Sequence, residues 1–270
     1  MSELLLVADI GTSAVKAALM QPDGGRLAEV VHSYEHHAQQ RPSRQRTSQA
    51  GADAGEGEID PELWWLAFRG AVRELLHRAR THAHSGNEPV PARIVMTGQM
   101  QNLILLRDNE PVRPAILYYD SRGEGELDSL FSVLPRERHV EITANTPDGA
   151  GFPAKLLWLK RNEPGALARA STLLCGAHDF VAHRLTGSLK SDVTTASTTG
   201  LFATRQGRWS EEIAEACGLD PGILPEACSA DSLDGTLSAE AAAGLGLPRR
   251  VEVLHGIGDV GATVLGSGDL

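Results

Sequence analysis

The opening of the chain constrains its fold most. Leu4–Ile10 is an apolar run that ends on Gly11-Thr12-Ser13, and Ala14–Met20 resumes a strand-like pattern at once. Pro22-Asp23-Gly24-Gly25 then supplies hairpin-turn chemistry ahead of Arg26–Tyr34. The first 34 residues therefore read as a β-meander whose first strand is buried.

Later segments add helices and return to a strand. Residues 35–58 are polar and lack periodicity, and read as a mobile surface excursion. Asp60-Pro61 is an N-cap followed by an N1 proline, and Leu63, Leu66, Ala67, Gly70, Ala71 and Leu75 recur at helical spacing up to about Arg80. Arg93–Thr97 and Leu103–Leu106 read as strands on either side of a glutamine-containing segment, and Ala115–Tyr119 as another. Helices follow over Lys155–Arg161, His178–Leu185, Trp209–Cys217 and Ala239–Leu245; Gly187 and Gly218 stand where a left-handed cap belongs. Val251–His255 reads as a last strand running into a glycine-rich turn, with a helix toward Leu265. Strands, then helices, then a closing strand and helix predict an α/β fold with a mixed sheet flanked by helices.

The 270 residues, 41% hydrophobic and 22% charged, suffice for one large domain or two small ones. Their formal charge of −10 argues against a nucleic-acid or anionic-membrane partner. A phosphorylated small molecule is still admitted, because backbone amides hold phosphate locally. No apolar run reaches the roughly 18 residues of a membrane span, and the start lacks a basic n-region and a cleavage site. A cytoplasmic protein is expected. Cys175, Cys217 and Cys228 show no CxxC spacing and read as buried free thiols. His36-His37 and His82-Ala83-His84 sit in polar stretches and are not expected to capture metal.

Three groups of residues carry chemistry. In Asp9-Ile10-Gly11-Thr12-Ser13, Gly11 permits a tight turn, Thr12 and Ser13 offer amides and hydroxyls to phosphate, Asp9 is placed to hold hydrated Mg2+, and Lys16 adds charge on the next strand. The same pentapeptide also serves as an Asx-type turn. Gly256-Ile257-Gly258-Asp259-Val260-Gly261 fits G-x-G-x-x-G after a strand. A dinucleotide unit needs a further strand and an acid about 20 positions on, and only nine residues follow Gly261. What remains is Asp259 at a strand end, suited to general-base work on a hydroxyl or to capping the helix behind it. Gln99-Met100-Gln101 and Tyr118-Tyr119-Asp120-Ser121-Arg122 supply amides, an acid and aromatic faces, the groups a polyhydroxylated ligand requires. No Walker A sequence occurs.

Taken in order, DIGTSAVKA, GEIDPELWW, MTGQMQNLILLRD, PAILYYDSR, PAKLLWLKRNEP, HDFVAHRLTG, SDVTTASTTGLF and HGIGDVGATVLGSG resemble the FGGY carbohydrate kinases, most closely their xylulokinase-like branch. The resemblance implies an actin-like (ribonuclease H-like) ATPase domain and ATP-dependent phosphorylation of a sugar or polyol. It makes Asp259 the general base, Asp9 the Mg2+ ligand, and Gly11, Thr12, Ser13 and Lys16 the phosphate-facing group. It places Gln99, Met100, Gln101, Tyr118, Asp120 and Arg122 around the sugar. Two positions depart from the branch: Gln101 stands where histidine is usual and Tyr118 where tryptophan is usual, so the sugar need not be xylulose. The resemblance also implies a second, nucleotide-binding domain that these 270 residues do not include, making them the sugar-binding N-terminal domain. The alternatives are a non-catalytic sugar-binding or regulatory protein of the same fold and an actin-like ATP hydrolase. A homodimer is left open, since no heptad or large apolar stripe requires one.

Overall fold

The structure, a computed structural model, describes residues 3–35, 57–82 and 89–268. Six strands form its main sheet: β1 (Leu5–Ile10), β2 (Ala14–Met20), β3 (Arg26–Ser33), β4 (Arg93–Gly98), β5 (Leu233–Thr236) and β6 (Glu252–Gly258). Their spatial order is β5-β6-β4-β1-β2-β3. The expected meander β1-β2-β3 is antiparallel, whereas β1, β4 and β6 run parallel and β5 antiparallel to β6. The sheet is mixed, as expected.

Period-two alternation explains one face. Leu6, Ala8 and Ile10 of β1, with Ile94 and Met96 of β4, are buried in one core with α1 (Glu62–His82), which lies mainly over β2 and β3. That helix presents Trp64, Phe68, Val72 and Leu75 on one stripe, all fully buried. Asp60 Oδ1 accepts the Glu62 N–H at 2.9 Å, the expected cap. A second helix, α2 (Phe152–Asn162), anchors a separate core of Phe152, Leu156, Leu159, Leu173 and Ile213. Ile104–Arg107 joins the two cores. Ile104 and Leu106 belong to the first, Leu103 and Leu105 to the second, which is why LILL reads as an unbroken apolar run. This strand pairs with Glu110–Pro111 and Thr172–Leu174, so it lies in a different sheet from β4.

Helices α3 (Ala177–Thr186), α4 (Val193–Thr198), α5 (Ala239–Leu245) and α6 (Asp259–Ser267) complete the elements used below. α3 ends on Gly187 at φ 86°, as expected. Four corrections follow. The strand expected over Ala115–Tyr119 is only Ala115–Ile116, because the chain turns where the Asp120 N–H donates to Leu117 O. Trp209 precedes its helix, which begins at Glu211 with the Ser210 hydroxyl accepting from Ile213 N–H. The last strand continues to Gly258 instead of turning after His255. It bulges between Leu254 and Ile257, with Gly256 at φ 90° and so close to the Met96 carbonyl that a Cβ would overlap it. Finally, Gly258, not Asp259, occupies the N-cap of α6, with no side-chain cap bond.

Of the expected excursion, residues 36–56 lie outside the described residues, but Glu58–Ile59 at its end pairs with Ala115–Ile116. His36, His37, His84 and the side chain of His82 also lie outside them. All three cysteines are buried and free, and burial pushes the Cys217 thiol up to about 12. No described helix is long and apolar enough to cross a membrane.

Candidate active site

Three parallel strands end side by side. Ile10 and Gly258 both flank Gly98 in register, so Gly11, Gln99 and Asp259 are the next residues out at one sheet edge. Ligands of α/β folds bind beyond the carboxyl ends of parallel strands, where side chains and loop backbone converge. The Gly11 turn is held from several directions: its N–H donates to Ala14 O, while its carbonyl accepts from the Tyr34 hydroxyl at 2.7 Å and from Gln99 Nε2 at 3.1 Å. Gly11 thus shapes the turn, and exposed Thr12 and Ser13 face the mouth. Asp9 pairs with Lys16 at 3.3 Å directly across β1 and β2.

Asp259 is half-buried at the first turn of α6, and Oδ1 accepts the Val260 N–H at 2.9 Å. Burial raises its carboxyl above the ordinary carboxylate value, and the charge of Asp9 adds to the rise. The two acids therefore share one electrostatic neighbourhood. Met100 closes the distance to the glutamine segment, since a Cβ on Gly258 would run into Met100 Sδ and Thr195 Oγ1.

Beyond Met100, Gln101 adopts the left-handed conformation at φ 59° and donates from Nε2 to Thr198 O at 2.7 Å. It forms one wall of a polar cavity of about 170 Å³ that is also lined by His139, Asn145, Asp148, Thr198 and Thr199. Sequence reasoning did not single out these last five. Four of them lie in Asn145-Thr146-Pro147-Asp148 and SDVTTASTTG, His139 standing alone on a separate helix, and only the fold brings them to Gln101.

The remaining expected sugar contacts divide. Tyr118 and Tyr119 stay exposed, edge to face at 5.2 Å. Asp120 is fully buried and accepts from Gly57 N–H (2.6 Å), Arg122 N–H (3.0 Å), Arg122 Nε (2.9 Å) and Arg122 Nη2 (2.6 Å). Burial alone would raise its carboxyl; these donors more than offset that and hold it low. Arg122, itself enclosed, also reaches Glu58 and lies over the Trp158 ring. Gln99 is likewise buried. Gln99, Asp120 and Arg122 are thus placed to hold the tyrosine segment and the Gly11 turn, whereas Thr12, Ser13, Lys16 and Tyr118 are exposed and Asp9, Gln101 and Asp259 half-buried. Buried Lys155 donates to Leu117 O at 2.8 Å, and burial lowers its ammonium to about 8.

The profile of the FGGY family of carbohydrate kinases, N-terminal domain, matches residues 4–266. The chain belongs to the FGGY family. Similar curated proteins include the xylulose kinases of Klebsiella pneumoniae, 32% identical over 96% of this FGGY chain and 49% of the relative, and of Staphylococcus xylosus, 29% identical over 96% and 50%. The crystal structure of xylulose kinase from Rhodospirillum rubrum superposes with a TM-score of 0.85 at 26% identity, covering 98% of this chain and 51% of that one. The FGGY chain therefore spans about half the length of the relatives it matches, and its fold is that of their actin-like ATPase domains.

Proposed function

We propose that this domain is the acceptor-binding half of an ATP-dependent sugar or polyol kinase. The observation that carries the proposal is Asp259, ending a parallel strand within the field of Asp9 and joined through Gly258 and Met100 to the cavity behind Gln101. The cavity is lined by hydroxyl, amide and carboxylate groups, which suit a small polyhydroxylated molecule.

Asp259 accepts the proton of the acceptor hydroxyl while that oxygen bonds to the γ-phosphorus of ATP and the bridging oxygen leaves with ADP. A carboxyl raised by burial is a better base than an ordinary aspartate, provided it is ionised at working pH. Asp9, a hard oxygen donor on the same mouth, fits Mg2+ and would hold it; the ion supplies neutralisation of phosphate charge. Thr12 and Ser13 face the transferring group and Lys16 adds positive charge beside it. The nucleotide pocket is assigned to the further half that relatives possess, closing over this mouth. α6 exposes Val260, Val264 and Leu265 there, beside an open apolar groove of about 460 Å³ that reaches Asp9 and Lys16. Three buried, unpaired cysteines suit the reducing cytoplasm.

The test joins this domain to the C-terminal half of a xylulose kinase and measures ADP formation with ketoses and polyols, beginning with xylulose. Sugar-stimulated ADP release with at least one acceptor is expected. ADP release indifferent to every acceptor contradicts the proposal and favours a plain ATP hydrolase; none at all, in a fusion that still binds ATP, favours a non-catalytic sugar-binding protein.

A further inference from the structure

Beneath the Asp259 strand lies a group of ionisable side chains that the reacting atoms do not touch. His255 on β6, His178 and Asp179 in the first turn of α3, Asp192 ahead of α4 and Asp234 on β5 have fully enclosed side chains. His255 Nδ1 lies 2.8 Å from Asp234 Oδ2 and its Nε2 3.1 Å from Asp179 Oδ1. Both ring nitrogens face carboxylates, so both donate and the ring is an imidazolium. Burial alone would lower its pKa; the bonds to Asp179 and Asp234 outweigh that and lift it to about 10. The same Asp179 Oδ1 lies 3.2 Å from His178 Nε2, which donates more closely to Asp192 Oδ2 at 3.0 Å. Asp179 Oδ2 accepts from Cys175 and Gly176 N–H, so Asp179 cannot turn away from the two rings.

Asp192 carries the link onward. Its Oδ1 accepts from the Thr194 and Thr195 N–H groups and starts α4. Val193, Thr194, Thr195 and Thr198 of that short helix are β-branched, so its place depends on the cap and on packing. α4 then meets both parts of the site. At its start, a Cβ on Gly258 would come within 2.8 Å of Thr195 Oγ1, and one on Gly261 within 3.2 Å of Thr194 Cγ2. The helix is thus packed on the glycines to either side of Asp259. At its end, Thr198 O accepts from Gln101 Nε2, and Thr198 lines the polar cavity.

Building on the kinase reading above, on which this role depends, we propose that His178 is a positioning residue of phosphoryl transfer. Held by Asp179 and the His255 imidazolium, its bond to Asp192 fixes α4 and so keeps the acceptor cavity in register with Asp259. Asp192 takes part as an anion: burial alone would raise its carboxyl, and the hydrogen bonds from His178 and Thr195 bring it down to about 2. The ring cannot replace that bond by changing tautomer. His178 Nδ1 is buried with no partner among the described residues, and a Cβ on Gly176 would lie 2.8 Å from it, so a proton moved there would be orphaned. The other ionisable groups about the pair are Lys190, 3.6 Å from Asp234, and the Cys175 and Cys228 thiols, both pushed up by burial. A misplacement of a fraction of a bond length between base and acceptor is enough to slow transfer, which gives the link its catalytic weight.

The test compares His178→Leu, His178→Gln and Asp192→Asn in this domain joined to the C-terminal half of a xylulose kinase, each assayed well below its Tm. Asparagine keeps the cap on α4 but turns an amide N–H toward His178, so it breaks the link alone. Glutamine offers two N–H groups to the two carboxylates and should rescue. The expected result is a kcat lowered about 10- to 100-fold in His178→Leu and Asp192→Asn, and within about threefold of wild type in His178→Gln. In the 270-residue chain, the NMR signal of the Gln101 side-chain amide, at the far end of α4, should shift in the first two variants and hold in the third. A folded Asp192→Asn that keeps either wild-type turnover or an unshifted Gln101 amide overturns the proposal, and the cluster is then structural only. Asp192→Asn decides even if His178→Leu fails to fold. A wild-type fusion inactive with every acceptor contradicts the kinase reading instead, and the Gln101 signal then decides whether His178 positions α4.

Discussion

At the residue scale, Asp259 and Lys155 are both held away from their ordinary protonation, and the consequences differ in sign. The raised carboxyl of Asp259 means that folding favours its protonated form, so ionised Asp259 opposes stability at neutral pH. Asp259→Asn should therefore melt at the same temperature as wild type at pH 7, or higher; a clear loss of Tm would assign Asp259 a structural role instead. Lys155 falls from 10.5 to about 8, so both folded and unfolded chains carry its charge below pH 8 and the burial penalty is then complete. Stability gains as pH rises from about 8 to 10.5, where the folded chain loses the proton first. The shift corresponds to about 3 kcal/mol, less about 1 kcal/mol for a Leu117 carbonyl left unpaired. Lys155→Met should gain about 2 kcal/mol at pH 7, and urea titrations across pH should show the alkaline rise abolished.

At the element scale, the bulge in β6 aims Asp259. Gly256 combines a left-handed conformation with contact against the Met96 carbonyl, and backbone cannot step aside as a side chain does. Gly256→Ala should cost about 3 kcal/mol or more in urea denaturation; a loss under about 1 kcal/mol would mean that the bulge relaxes freely. This feature marks the limit of what sequence reveals. The strand, the glycines and Asp259 were legible from Val251 onward, but a bulge depends on the neighbouring strand. Ala239–Leu245 was legible to the residue because its apolar spacing is local. Val193–Thr198 was not: two turns of β-branched and hydroxyl residues show no periodicity, and the helix rests on Asp192 capping Thr194 and Thr195. Asp120 and Arg122 looked like ligand groups, yet their partners Gly57 and Glu58 lie more than 60 residues away, and that pairing buries them.

At the scale of the molecule, two cores share one strand. Because Ile104–Arg107 gives alternate side chains to each, neither core can open without exposing the other. Fluorescence from Trp64 in the first core and from Trp158 and Trp209 beside the second should report one coincident urea transition, and Leu105→Ala should shift it by about 2–5 kcal/mol without splitting it. Two separate transitions would show that the cores are independent. The same architecture brings the proposed acceptor cavity beside Gln101 to the strand ends of the main sheet. The central claim is that Asp259 takes the proton at that junction. Its most direct measurement is turnover of Asp259→Asn in the domain joined to a C-terminal half, with acceptor binding followed in parallel. Retained binding with kcat reduced by about 100-fold or more is predicted; turnover within a few-fold of wild type would contradict it.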